Sequence, residues 1–141
     1  MDISSGLKQA TALAKEKKFD LAIELLMKLL PAMAIQGGFP HSAYTKIVPY
    51  FQKAGRYAEV EEYCNNFLFT LIKKECKNTF GHQSSETINA FINLHSSMVY
   101  DKLRLCAKRE KQSADIVRFT KSQTAFYELY EAWLIKEHGE T

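Results

Sequence analysis

Cysteine and histidine are the residue types here that could hold a metal. Cys64 lies twelve residues before Cys76, and His82 lies six residues after it. These three could ligate zinc only with a fourth ligand from elsewhere, since neither Cys-x-x-Cys nor His-Glu-x-x-His occurs in the chain. The spacing therefore predicts no metal site and no bound cofactor.

His95 is the strongest candidate for a general base. It falls on the apolar stripe of a predicted helix, where a lone histidine is more often a hydrogen-bonded core residue than a ligand or a catalytic group. Asn89 and Asn93 flank it and could satisfy its ring nitrogens. We expect a structural histidine, and an enzyme centred on His95 is the third and weakest of three functional hypotheses.

The remaining catalytic patterns are incomplete. Gly37-Gly38 lacks the lysine and hydroxyl residue that follow in a phosphate-binding loop, and no Gly-x-Ser-x-Gly occurs. The acids Glu61 and Glu62 are adjacent, so on a helix they point in different directions and cannot easily share one site. We therefore expect a protein that is not an enzyme and has no catalytic residues.

The densest basic stretch runs from Lys102 to Lys121, with seven basic and two acidic residues. Lys108 and Arg118 could contact phosphates, and Tyr100 or Phe119 could stack on bases. This pattern makes nucleic-acid binding the alternative hypothesis.

The next twenty residues carry a net charge of −3, with acids at Glu128, Glu131, Glu137 and Glu140. Antiparallel packing would bring these acids close to the basic helix, which favours a solvated or salt-bridged face. Whether the segment binds nucleic acid or forms a solvated or salt-bridged face, Lys102, Arg104 and Arg109 are candidates for contacting a partner.

The whole chain is an ordinary globular sequence of 141 residues, 46% hydrophobic, with a net charge of +3. We expect a single domain over residues 1–141. Three cysteines are an odd number for a disulfide framework and suggest reduced thiols in a cytoplasmic protein. Its longest apolar stretches fall far short of the ~20 residues of a membrane span, and its first residues do not resemble a signal peptide.

Helical periodicity dominates the sequence, and no stretch alternates like a strand. We expect about six helices: one around residues 4–15, then 20–34, 41–54, 57–77, 85 to about 110, and about 113–138. Pro31 should bend or end the second helix, and Pro49 should kink or delay the third. The last two helices need a break near Lys111–Ser113, because one helix from 85 to 138 would be about 80 Å long.

Comparing the sequence with itself reveals a repeated segment. Residues 17–26 align with residues 55–64, 38 positions apart, as a tight turn, an aromatic residue, an acidic helix start and an apolar residue. Residues 5–72 therefore resemble two tetratricopeptide repeats, which are helix–turn–helix units of ~34 residues. The resemblance implies an all-α stack of antiparallel helical hairpins without a β-sheet, and residues 85–138 would close it as a long helical hairpin.

Stacked hairpins of this kind bind peptides or proteins on a concave face lined by the first helix of each hairpin. Its expected members here are Lys8, Lys15, Lys46, Gln52 and Lys53, and the lysines suggest an acidic partner segment. Tyr130 and Trp133 on the last helix are core residues by default, or anchors for a partner or a second copy in a homodimer.

These observations favour a non-enzymatic module that binds a dedicated protein partner. A bacterial immunity protein that neutralises a toxin and a chaperone or adaptor are two roles that suit its size. The expected mechanism is occlusion, in which one face covers an acidic or catalytic surface of the partner.

Overall fold

The structure is a computed structural model that describes residues 2–139. Every regular element in that range is helical, which confirms the predicted all-α fold. Two of the rods are interrupted, so eight α-helices and one π-helical turn make up six rods. They are α1 Ile3–Lys15, α2 Phe19–Gln36, α3 His41–Thr45, α4 Ile47–Lys53, α5 Tyr57–Tyr63, the π turn Cys64–Leu68, α6 Phe69–Thr79, α7 Ser85–Arg109 and α8 Ser113–His138.

The rods form three successive hairpins. The first is α1 with α2, the second joins α3–α4 to α5–α6, and the third is α7 with α8. Helix α2 packs against α4 and α6, and α7 packs against the same two helices from the other side. The second hairpin is therefore the middle layer of the stack.

One turn geometry closes all three hairpins. A residue with positive φ follows each first helix: Lys17 (φ 61°), Gly55 (φ 76°) and Lys111 (φ 55°). The N–H of the next residue then bonds to the carbonyl five residues earlier at 2.8–2.9 Å. Such a left-handed cap reverses the chain within three residues. It confirms the predicted break near Lys111–Ser113.

The third rod breaks at Lys46 and not at Pro49. Proline has no N–H to offer the carbonyl four residues earlier, which belongs to Thr45, and α3 ends at that residue. Pro49 then lies in the first turn of α4, where a missing N–H costs nothing. Pro31 behaves differently, because α2 continues past it to Gln36.

Polar side chains cap two of the helices. The Asp2 carboxylate accepts from the Ser5 backbone N–H at 2.7 Å and caps α1. Ser84 caps α7, and Ser113 is the first residue of α8.

The core side chains form one continuous cluster that includes residues from α1 to α8. Ala22 and Val60, which occupy the small-residue position of the two predicted repeats, are both buried. Phe67, by contrast, is 57% exposed. The π turn explains this, since Phe69 donates to Cys64 five residues earlier and the wider turn brings Leu68 to the core instead.

Candidate functional site

Three lysines predicted from separate helices converge on one groove. Lys8 and Lys15 come from α1, and Lys46 comes from the junction of α3 and α4. The groove encloses about 410 Å³, and Leu7, Thr11 and Ala12 complete its lining. It is here called the lysine groove, and it carries positive charge around a small apolar surface.

Lys46 is the most constrained of the three lysines. It is half-buried, and its Nζ donates to the Thr11 hydroxyl at 3.0 Å. That hydroxyl in turn donates to the Leu7 carbonyl at 3.1 Å. Burial lowers the pKa of Lys46, and no carboxylate pairs with it within residues 2–139. The hydrogen bond holds the ammonium group in the wall of the groove.

Other basic residues predicted to contact a partner lie outside the groove. Burial and then the charge of Lys102 on α7 lower the pKa of His41. Lys53 lies 5.8 Å from the ring centroid of Phe19. Within the described part of the chain, none of the exposed residues Lys8, Lys15, Lys53, Lys102 and Arg109 forms an ion pair.

Two other predicted partner residues are already engaged inside the molecule. Gln52 donates to Glu110 at 2.9 Å and so links α4 to the end of α7. Arg104 donates to Asp101 of its own helix at 2.7 Å. Each of these two side chains therefore has an internal hydrogen-bond acceptor, and its contact with a partner stays a prediction.

Tyr130 and Trp133 contribute to the packing of the third hairpin. Both are half-buried, and their rings lie 6.4 and 5.8 Å from that of Phe91 on α7. The indole Nε1 of Trp133 is buried and meets no acceptor within residues 2–139. The sides of these two rings that face α7 are therefore part of the core, as predicted. Whether their exposed sides contact a partner stays a prediction.

Two residues of the basic segment 102–121 are engaged inside the molecule. Phe119 is 2% exposed, so it cannot stack on a base, and the stacking role predicted for it is wrong. Arg118 forms ion pairs with Glu61 at 2.6 Å and with Asp115 at 2.8 Å. The phosphate contact predicted for Arg118 stays a prediction.

The acidic end of α8 also lies elsewhere than expected. The hairpin places the end of α8 beside the start of α7, where Lys136 pairs with Glu86 at 3.5 Å. The basic turn is at the opposite end of the hairpin. The acids Glu128, Glu131 and Glu137 form no ion pair in residues 2–139, and Glu140 lies outside the described residues.

His95 takes a cysteine as its partner and not the flanking asparagines. Its Nδ1 lies 3.4 Å from the Cys76 sulfur, and its ring centroid lies 5.3 Å from that of His41. Burial, followed by the neighbouring His41, lowers the pKa of His95 to about 4. In the described range, no group of three or more His, Cys, Asp or Glu side chains could hold a metal ion.

Glu75 is a buried hub that the sequence analysis missed. Its carboxylate accepts from the backbone N–H groups of Gly38 and Phe39, from the Tyr44 hydroxyl at 2.6 Å, and from Thr79. Glu75 is the only acid in α6 and is 3% exposed. Its place next to the core residue Cys76 is the sequence signal that could have revealed it.

Comparisons with known proteins were negative, because no protein-family model, curated protein or solved structure matches the chain. The tetratricopeptide resemblance therefore stays a prediction from residues 5–72. Among the described helices, none is both long and apolar enough to cross a membrane.

Proposed function

We propose that this protein is a non-enzymatic binding module and that its lysine groove receives an acidic segment of a partner protein. The observation that carries the proposal is the convergence of Lys8, Lys15 and Lys46 on one groove, where no carboxylate of residues 2–139 pairs with them.

The charges and the apolar lining have separate roles in this proposal. A single exposed ion pair contributes only ~0–1 kcal/mol, but a field of like charges speeds the encounter with an acidic partner and excludes a basic one. Leu7 and Ala12 would then add affinity through burial of apolar surface. Lys102 and Arg109 on α7 would extend the same attraction over a larger acidic surface.

Within this class, an immunity protein that occludes a toxin and a chaperone or adaptor are the roles we favour. Each needs a rigid surface and no reacting group. Three buried cysteines without disulfide bonds fit a reducing compartment, so we place the protein in the cytoplasm.

Site-specific photo-crosslinking in the native host tests the proposal. A photoreactive residue at Ala12, which is exposed and lines the groove, should yield one dominant adduct with a protein whose contact peptide is acidic. The control position is Lys28, which is exposed on α2 and outside the groove. An adduct that forms equally from both positions, or whose contact peptide is basic, would contradict the proposal.

A further inference from the structure

A second groove lies between α6 and α8, with α7 as its floor. It encloses about 640 Å³, within the size range of ligand sites. Lys73 and Lys77, one helical turn apart, form the α6 wall, while Asn89 and Asn93 rise from α7 with the same spacing. This feature is here called the α6–α8 groove, and none of these four residues lines the lysine groove.

The lysine and asparagine side chains of the α6–α8 groove have no hydrogen-bond partner among the described residues. Within residues 2–139, no hydrogen bond or ion pair engages Lys73, Lys77, Asn89 or Asn93. A carboxamide offers both a donor and an acceptor, which is the pair of groups that a peptide backbone requires. Lysine ammonium groups on the opposite wall would attract carboxylates.

The floor of the groove is aromatic at its Tyr100 end, where side chains of α6, α7 and α8 meet. Tyr100 stacks on Phe126 with ring centroids 5.7 Å apart, and Phe69 lies 5.2 Å from Tyr100. Because one face of Tyr100 is covered by Phe126, the floor is better suited to receive aliphatic or aromatic side chains than to intercalate a base.

The groove is elongated. A second depression of about 310 Å³ continues it toward the start of α7 and shares Asn89 and Asn93 with it. From Tyr100 to Glu86, the α7 floor spans about 21 Å at ~1.5 Å per residue. An extended peptide of about six residues has that length at ~3.3 Å per residue.

We propose that the α6–α8 groove binds an extended peptide segment in which acidic residues alternate with apolar ones. The carboxylates pair with Lys73 and Lys77, the asparagine amides hold the peptide backbone, and the apolar side chains rest on the aromatic floor. This site is separate from the lysine groove.

The test uses the full chain and a fluorescein-labelled hexapeptide, Asp-Phe-Glu-Leu-Asp-Phe, with Asn-Phe-Gln-Leu-Asn-Phe as its uncharged counterpart. Fluorescence polarisation should show the acidic peptide binding at least ~10-fold more tightly. The pair Lys73→Glu and Lys77→Glu should weaken it at least ~10-fold, whereas the charge-matched pair Lys74→Glu and Lys121→Glu should change it less than ~2-fold. Both control residues are exposed and lie outside the groove.

The location of binding is checked by NMR. The side-chain amide signals of Asn89 and Asn93 should shift on titration with the acidic peptide, and the affinity should be unchanged by Lys8→Glu with Lys15→Glu. The proposal is overturned if neither peptide binds, if both charge-reversed pairs weaken binding equally, or if the shifts map to the lysine groove. Equally tight binding of inorganic pyrophosphate would also overturn it, because the groove would then be a simple anion site.

Discussion

The ammonium group of Lys46 donates a hydrogen bond of 3.0 Å to the hydroxyl of Thr11. This contact joins the first hairpin to the second at the point where the third rod breaks. It exists because Pro49 offers no N–H to Thr45 and α3 ends there. A backbone interruption thus places a charged side chain in the wall of the lysine groove.

Two of the three hairpin turns should respond in opposite ways to substitution. Gly55→Ala should destabilise the protein by ~1 kcal/mol, because a Cβ at positive φ is strained although no atom lies within 4 Å of it. Lys111→Gly should stabilise it by up to ~1 kcal/mol, because that lysine already has a φ of 55°. Urea unfolding measures both changes, and two shifts of the same sign would refute this account of the turns.

Removal of the Glu75 carboxylate should be among the most damaging single changes. Glu75→Gln presents an amide donor to groups that are themselves donors, at the loop N–H groups and the Tyr44 hydroxyl. We expect a loss of ~2–4 kcal/mol in the free energy of unfolding. Glu62→Gln, at an exposed position, is the control and should stay within ~0.5 kcal/mol. Equal effects of the two would show that the hub contributes little.

Acidification should weaken the fold through His95. Its folded pKa of about 4 lies below the ordinary value of 6.5, so the unfolded chain binds more protons between these pH values. Stability is then fully present above pH 6.5 and falls by roughly 2–3 kcal/mol as the pH drops toward 4. The lowered pKa of His41 acts in the same direction, and Lys102 adds repulsion.

Denaturant titrations across that pH range check this prediction. His95→Gln should flatten the dependence, while the exposed control His82→Gln should leave it unchanged. If the free energy of unfolding of the His95 variant still falls with pH over this range, other groups cause the pH dependence.

All three thiols should be inert in the native protein. Cys64, Cys76 and Cys106 are buried, and burial raises the pKa of each, to about 12 for Cys76. A thiol reagent such as Ellman's reagent should label all three within minutes in denaturant and none at a comparable rate in buffer. Rapid labelling of one cysteine in buffer would place that residue nearer the surface than described.

The sequence predicts the helices well because apolar periodicity and turn residues are local signals. Gly55 could be recognised as a cap, since glycine tolerates positive φ, whereas Lys17 and Lys111 take the same conformation without that signal. The exposure of Phe67 depends on a π turn that shifts the register of the inward face by one residue.

The site was predictable in its residue types but not in its pairings. The resemblance to tetratricopeptide repeats assigned Lys8, Lys15 and Lys46 to one face. The engagement of Arg104 by Asp101 and of Gln52 by Glu110 depends on side-chain contacts, and the second of these joins residues 58 positions apart. Glu75 was missed because its partners lie in a loop more than thirty residues earlier.

The most direct test of the central claim uses the partner that crosslinking identifies. This partner is purified on its own and titrated calorimetrically with charge-reversed variants of this protein. Lys8→Glu with Lys15→Glu should weaken binding at least ~10-fold and flatten its salt dependence, because two like charges then face the acidic segment. Lys28→Glu, outside the groove, should change the affinity less than ~2-fold. Unchanged affinity in the double variant, with its fold intact by circular dichroism, would contradict the claim that the lysine groove is the binding surface.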